Sequence, residues 1–306
     1  MGTISIAVCV ATYNRPLGLR RLLESLRTQA FVHHKTLDWK IIVVDNDASA
    51  PNEEFIRGLN NEFPVPITYA VQPKQGIASV RNLAVALAKD VDFVAFIDDD
   101  EAADPQWLDE LLTGVTTHLA DVVTGPVIAA FEAPPKKWII KGRFFERERY
   151  PTGKVLDFAR TGNVLIDNKY LAHLEEPFSE DLDLVGGEDT LFFTYVQQKG
   201  AKIVWVDEAI THEYNPPQRT NLKWLLKRSL RLGNTIVQVE RMAGQSVLKR
   251  FIRIIKCAGH LLGGILIIIP LGIVSGFAGV VKALSITSRG VGELMALLGI
   301  YYEIYK

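Results

Sequence analysis

Hydrophobic and polar positions alternate between two periods over the first 115 residues. Residues 4–11, "ISIAVCVA", form a continuous apolar run, and Asn14 and Pro16 follow as a cap and first-turn signal. Leu19, Leu22, Leu23 and Leu26 then recur at i, i+3, i+4 and i+7, one buried face of a helix. "WKIIVVDNDAS" is a second strand closed by acids and turn formers; Asn52–Asn61 has helical character, and "PITYAVQ" is a third strand. "QGIASVRNLAVALAKD" opens as a loop and becomes an amphipathic helix, and "VDFVAFIDDDE" is the fourth strand. Asp104–Pro105 caps one more helix, with Trp107, Leu108, Leu111, Leu112 and Val115 on its apolar side.

Such alternation predicts an α/β fold, a mostly parallel central sheet flanked by helices on both faces. Ligands of open α/β sheets bind outside the carboxyl ends of the strands. Three of the four strands deliver polar sets to that edge: Thr12-Tyr13-Asn14, Asp45-Asn46-Asp47 and Asp98-Asp99-Asp100. The later half is less regular. "VVTGPVIAAF" and "AKIVWVDEAITHEY" are strand-like, "PPKKWIIKGRFFERERYPTGKV" is loop-rich, and Asp189 opens a helix that Gly200 ends. A helix from Thr220 to about Leu232 follows. The expected organisation is a catalytic domain over 1–215, in halves 1–115 and 116–215, then a basic and apolar helical region over 216–306.

Composition narrows the picture. The 306 residues, 48% hydrophobic and 23% charged, suffice for one large or two moderate domains. A formal net charge of −1 carries no global field toward nucleic acid. Cys9 and Cys257 lie far apart in apolar runs and imply no disulfide framework. The opening "MGTISIAVCVATYN" lacks a basic n-region, so secretion is not expected. Charge is unevenly placed: between Glu213 and Lys256 ten Lys/Arg face two acids. Residues 257–281 then run 25 positions without Asp, Glu, Lys or Arg, with basic residues on both flanks. That profile suits a membrane segment, spanning or bent at Pro270 into a re-entrant hairpin; a buried core helix is the alternative.

Four adjacent acids, Asp98–Glu101, repel one another and call for a compensating cation. Hard divalent cations take carboxylate oxygens and keep substrate phosphate as further ligands. In extended chain Asp98 and Asp100 would point the same way, whereas a solvated loop with Asp104 as helix cap is the plainer alternative. Asp45 suits a hydrogen bond from a nucleobase or ribose, or a turn. In "GGEDT", Glu188 and Asp189 begin an apolar helix, where acids favour the dipole and where one carboxylate can deprotonate an attacking hydroxyl. Arg81 begins a helix whose N-terminus favours an anion. Arg228 and Arg231 share a helix face, suited to a diphosphate or to a membrane surface. His212 suits a metal or phosphate ligand, or an ordinary structural hydrogen bond.

"VCVATYNRP", "IIVVDNDAS", "QGIASVRNLA", "FIDDDE", "TGNVLI" and "GGEDTLFF" stand in the order of an inverting GT-A glycosyltransferase of family 2, which residues 4–232 resemble. Within that family the chain is similar to bacterial exopolysaccharide enzymes, the succinoglycan-type glucosyltransferases. The resemblance implies that Thr12 and Tyr13 line the nucleotide pocket, Asp45 binds uracil, and Arg81 faces the diphosphate or base. Asp98 and Asp99 would hold the sugar and ribose, Asp100 the metal (Mn2+ or Mg2+). Asp189 would be the general base, with Glu188 beside it and Glu101 a bystander. The expected donor is a UDP-sugar, with glucose the sugar. The expected acceptor is a lipid-linked, polyprenyl diphosphate oligosaccharide at the cytoplasmic face of the bacterial inner membrane. "QRTNLKW" does not keep the Gln-x-x-Arg-Trp spacing of processive synthases, which favours single addition. A nucleotidyltransferase and a non-catalytic nucleotide-binding membrane scaffold are the alternatives.

Overall fold

The computed structural model describes residues 3–59, 62–244 and 246–303. The chain forms two compact units: residues up to Ala129 together with Arg147–Tyr214, and Ala130–Glu146 together with residues from Asn215 onward. Residues 130–146, assigned by sequence to the first domain, therefore group with the C-terminal helices.

In chain order the elements begin β1 (Ile4–Thr12), α1 (Pro16–Arg27), β2 (Leu37–Asp45), α2 (Glu53–Leu59), β3 (Ile67–Val71), α3 (Ile77–Leu87) and β4 (Phe93–Ile97). They continue β5 (Glu101–Ala103), α4 (Trp107–His118), β6 (Val122–Thr124), β7 (Val127–Phe131), α5 (Lys137–Gly142), β8 (Val155–Leu156) and β9 (Asn163–Asp167). Then come α6 (Glu188–Gln198), β10 (Ile203–Trp205), β11 (Thr211–Asn215), α7 (Leu222–Met242), α8 (Val247–Leu266), α9 (Ile268–Ser275) and α10 (Phe277–Leu297).

The main sheet has eight strands in the order β3-β2-β1-β4-β9-β6-β10-β8. β1, β2, β3 and β4 are mutually parallel, as alternation predicts, but β9 enters antiparallel between β4 and β6. The register places Thr12 beside Asp45, so β1 and β2 end at the same edge. Successive side chains of β1 serve opposite faces. Ile6, Val8 and Val10 pack with Leu19, Leu22, Leu23 and Leu26 of α1 and with Trp107 of α4. Ala7 and Cys9 pack with Val80, Ala84 and Val85 of α3 and Phe193 of α6. Each of these four α1 leucines, essentially unexposed, contributes about 2 kcal/mol by leaving water. Asn163, in the "TGNVLI" stretch, fixes β9: it accepts from Trp107 Nε1 at 2.8 Å and donates to the carbonyls of Pro126 and Ala209.

Several local expectations change. α1 starts at Pro16, but Asn14 adopts a left-handed φ of 53° and Arg15 holds the N-cap position without a side-chain capping bond to the helix. α2 begins at Glu53; Asn60 and Asn61 lie outside the described residues. Asp104 does not cap α4, because its carboxylate meets His212. The acidic run does not continue as an extended loop. Asp98–Glu101 closes a turn, Glu101 N–H donating to the Asp98 carbonyl at 3.0 Å, and Glu101 begins the short strand β5 against β11.

The second unit carries α7–α10 and α5. Its helix α7 extends to Met242, ten residues past the end read from sequence. Gly292 brings α10 against the Leu230 carbonyl of α7, an approach that any Cβ would block. Among the described residues no single helix is long and apolar enough to cross a membrane; α8 and α9 together pass by length and composition, bent by 54° at their junction.

Candidate active site

The carboxyl edge of the first unit is built from short loops after β1, β2 and β4, together with the start of α6. Asp45 ends β2 and is fully buried. A buried carboxylate needs donors, and three supply them: Asn52 Nδ2 at 2.8 Å, Tyr69 hydroxyl at 2.9 Å and the Asp47 backbone N–H at 3.0 Å. Burial and the Asp45 charge push the Tyr69 phenol well above its ordinary range, so it stays a donor. Beside this pair a cavity is lined by Thr12, Tyr13, Arg15, Asn46, Gln75 and Asp99. Tyr13 presents 41% of its surface there, an available stacking face.

The acidic turn after β4 does not present Asp98 and Asp100 as a matched pair, because the alternation of extended chain ends at Ile97. Instead Asp99 and Asp100 share one cation: Arg15 Nη1 donates to Asp99 Oδ1 at 2.6 Å and to Asp100 Oδ2 at 3.0 Å. Thr12 Oγ1 donates to the other Asp99 oxygen at 2.9 Å. Burial, opposed by Arg15, pushes the Asp99 carboxyl up to about 6. Asp98 turns the other way, toward Arg81 Nη2 at 3.3 Å. Surrounding protein raises its carboxyl also, against the pull of Arg81, although 44% of its side-chain surface remains open.

Arg81 is the junction of the site. It projects from α3, is buried, and reaches Asp98 with one nitrogen and Glu188 Oε1 with the other. Thus one guanidinium ties the acids after β4 to the first residue of α6. Burial pushes the Glu188 carboxyl up to about 7, with Arg81 pulling it down and Asp189 adding to the rise. Asp189 stands next to it, half-buried, its Oδ1 accepting from the Thr190 N–H at 2.6 Å and the Thr190 hydroxyl at 3.2 Å. The expectation that the α3 N-terminus would hold a ligand anion is overtaken by the fold. Asp183 fills it, accepting from Ser79 N–H at 2.9 Å, and its carboxyl occupies the space where a Cβ on Gly76 would stand.

Glu101 turns inward rather than into solvent. It is 1% exposed, and burial with Asp98 nearby raises its carboxyl far above the ordinary range. Behind it Arg147 bonds Glu213 at 2.7 Å, and Arg147 partly offsets the Glu101 charge. His212, expected as a metal ligand, lies on β11 with Nε2 3.0 Å from Asp104 Oδ1, in register with Ala102 rather than with the acidic turn. Arg228 and Arg231 belong to α7 of the second unit; the Arg228 guanidinium lies 5.3 Å from the Trp224 ring centre and 5.8 Å from that of Phe145.

Among the described residues no group of three or more His, Cys, Asp or Glu is arranged to cage a metal ion. The donor set at the turn nevertheless fits a divalent cation of the Mg2+ or Mn2+ type. Such ions bind through one or two carboxylates plus substrate phosphates. Burial first, and the Asp100 charge after it, lift Asp98 and Asp99, and a divalent charge would favour their ionised forms. Sequence reading missed Arg15, Asp183 and the Arg147–Glu213 pair. Only Arg15 left a signal, inside "TYNRP"; the others are joined to the site through long-range folding.

The chain is similar in sequence and in fold to known proteins. Residues 7–173 match the glycosyl transferase family 2 profile. The succinoglycan biosynthesis protein ExoM of Rhizobium meliloti (strain 1021) is 34% identical over 234 residues, 76% of this chain and 74% of that protein. The succinoglycan biosynthesis protein ExoW of the same organism is 30% identical over 118 residues, 38% of this chain and 35% of that one. Among solved structures, S. aureus TarS 1–349 in complex with UDP superposes with a TM-score of 0.53 at 17% identity, covering 98% of this chain and 93% of that one. The same TarS segment in complex with UDP-GlcNAc gives 0.53 at 15% identity. The fold is thus of the GT-A type, and with more than half of its length matched by the profile, the chain belongs to glycosyl transferase family 2.

Proposed function

We propose that this glycosyltransferase moves a sugar, glucose in the simplest reading, from a UDP-sugar to a hydroxyl of a lipid-linked oligosaccharide, with inversion, in exopolysaccharide assembly. The names of the curated relatives support the pathway class, and the ligands of the TarS structures support the nucleotide. One observation carries the reading: Arg81 joins the acids after β4 to Glu188, next to Asp189, so donor-side and base-side carboxylates form one rigid assembly.

In this reading the base stacks at Tyr13 and its imide N–H donates to Asp45. Arg15, already poised between Asp99 and Asp100, offers its fork to the diphosphate. Asp98 and Asp99 orient ribose and sugar hydroxyls. A divalent cation held by Asp100 and the diphosphate oxygens would neutralise charge on the leaving group. Asp189 takes the proton of the acceptor hydroxyl as that oxygen bonds to the anomeric carbon. The bond from that carbon to the UDP oxygen breaks on the opposite face, so configuration inverts and UDP leaves. Glu188 holds Arg81 and thereby the spacing between the two halves.

The test is a melting-temperature screen of nucleotide sugars with and without Mn2+. Ligand at about 100 times its Kd adds about 2.7 kcal/mol to stability. A Mn2+-dependent rise for one UDP-sugar, absent for ADP- and GDP-sugars, is expected. Equal rises for all nucleotides would remove the assignment of Asp45 to uracil.

A further inference from the structure

In the second unit one charged network lies inside. Arg253 of α8, buried, donates through Nε to Glu240 Oε2 at 2.7 Å and through Nη1 to Glu293 Oε1 at 3.0 Å. Glu293 is fully buried on α10, and its second oxygen meets His260 Nδ1 at 2.9 Å. The outward side of α8 and α9 is apolar instead. Leu262, Leu266, Ile269, Ile273 and Val274 are 65%, 75%, 74%, 80% and 78% exposed. This reverses the arrangement that water selects, in which an amphipathic helix buries its apolar stripe. Lys249, Arg250 and Lys256 are exposed on α8, and neither α8 nor α9 contains an acid.

We infer that the α8–α9 face docks on an anionic phospholipid bilayer, with α8 lying in the headgroup plane rather than crossing it. The apolar side chains enter the acyl boundary while the lysines and arginine meet lipid phosphates. Crossing is disfavoured because α8 alone is too charged for a span and the 54° bend separates it from α9. Charge decides against a second copy of this chain as the occupant. A two-fold contact would set an acid-free, cationic patch against itself. This surface stands independently of the donor chemistry, and its test reads no sugar transfer, so either reading can fail alone.

The experiment is cosedimentation of the full chain with vesicles of phosphatidylcholine, alone or mixed with phosphatidylglycerol. Preferential binding to the mixed vesicles, weakening as salt rises, is expected. The triple variant K249E/R250E/K256E should bind at least tenfold more weakly, since each basic residue near such a surface is worth about fivefold. L262D/L266D should lose vesicle binding while circular dichroism and melting temperature stay unchanged. A fluorophore on Ile273→Cys, with both native cysteines buried, should be quenched by spin labels near the headgroups. The inference is overturned by absent binding of the unaltered chain, or by undiminished binding of the triple variant. Quenching strongest at the bilayer centre overturns it too, as does a solution dimer that L262D/L266D dissolves.

Discussion

In the first unit apolar strands and helices fill the interior and carboxylates gather at one sheet edge; in the second, Arg253, Glu240 and Glu293 lie inside while leucines and isoleucines face outward. The difference shows how polarity reports surroundings. Buried acids at the edge, lifted by burial, are held in place by Arg15 and Arg81. Exposed aliphatic side chains with cations and no acids describe a surface suited to something other than water.

Substitutions break this comparison at different strengths. Asp189→Asn is expected to cost most, lowering kcat by about 10²–10⁴-fold with the UDP-sugar KM little changed, in a steady-state assay. Arg81→Met leaves Glu188 buried without its guanidinium and should lower stability to denaturant by about 3–5 kcal/mol. Arg253→Met should cost less, because Glu293 keeps His260 at 2.9 Å and Arg289 at 3.6 Å. Asp45→Asn should cost about 1–3 kcal/mol of stability, through its hydrogen bonds with Asn52 and Tyr69, and weaken UDP binding in titration calorimetry.

The pH dependence of Glu188 has a definite sign. Its carboxyl is raised to about 7 in the folded chain against an ordinary 4.5, so the folded state holds the extra proton between those values. Stability from this group is therefore lost as pH rises through that window. Glu188→Gln removes the slope, so its destabilisation should shrink between pH 5 and pH 7.5 by on the order of 2 kcal/mol, read from denaturation midpoints. At the weak end, Leu266→Asp on the outward face should change stability by less than about 0.5 kcal/mol, the opposite of Leu19, Leu22, Leu23 or Leu26 of α1.

The doubly wound core was legible because its signals are local: apolar runs at the strands, and i, i+3, i+4, i+7 leucines in α1. So were the acids themselves. Their pairing was not. Arg15 reaches Asp99 across 84 positions and Arg81 reaches Glu188 across 107, distances at which sequence spacing carries no geometry. The turn at Asp98–Glu101 reassigned which acids act together, and β11, pairing from 110 residues downstream, drew Glu101 inward and gave His212 to Asp104. The grouping of residues 130–146 with the late helices likewise left no mark in composition. In the second unit, hydropathy marked the apolar segment, but only the fold revealed that Arg253, Glu240 and Glu293 turn inward.

The identity of the products tests the central claim most directly. The full chain is incubated with a UDP-sugar, Mn2+ and a lipid-linked acceptor, and the mixture is resolved by NMR. UDP together with a new glycosidic bond of inverted anomeric configuration is expected, lost on chelation and in Asp189→Asn. Pyrophosphate release, or a retained configuration, would contradict the account.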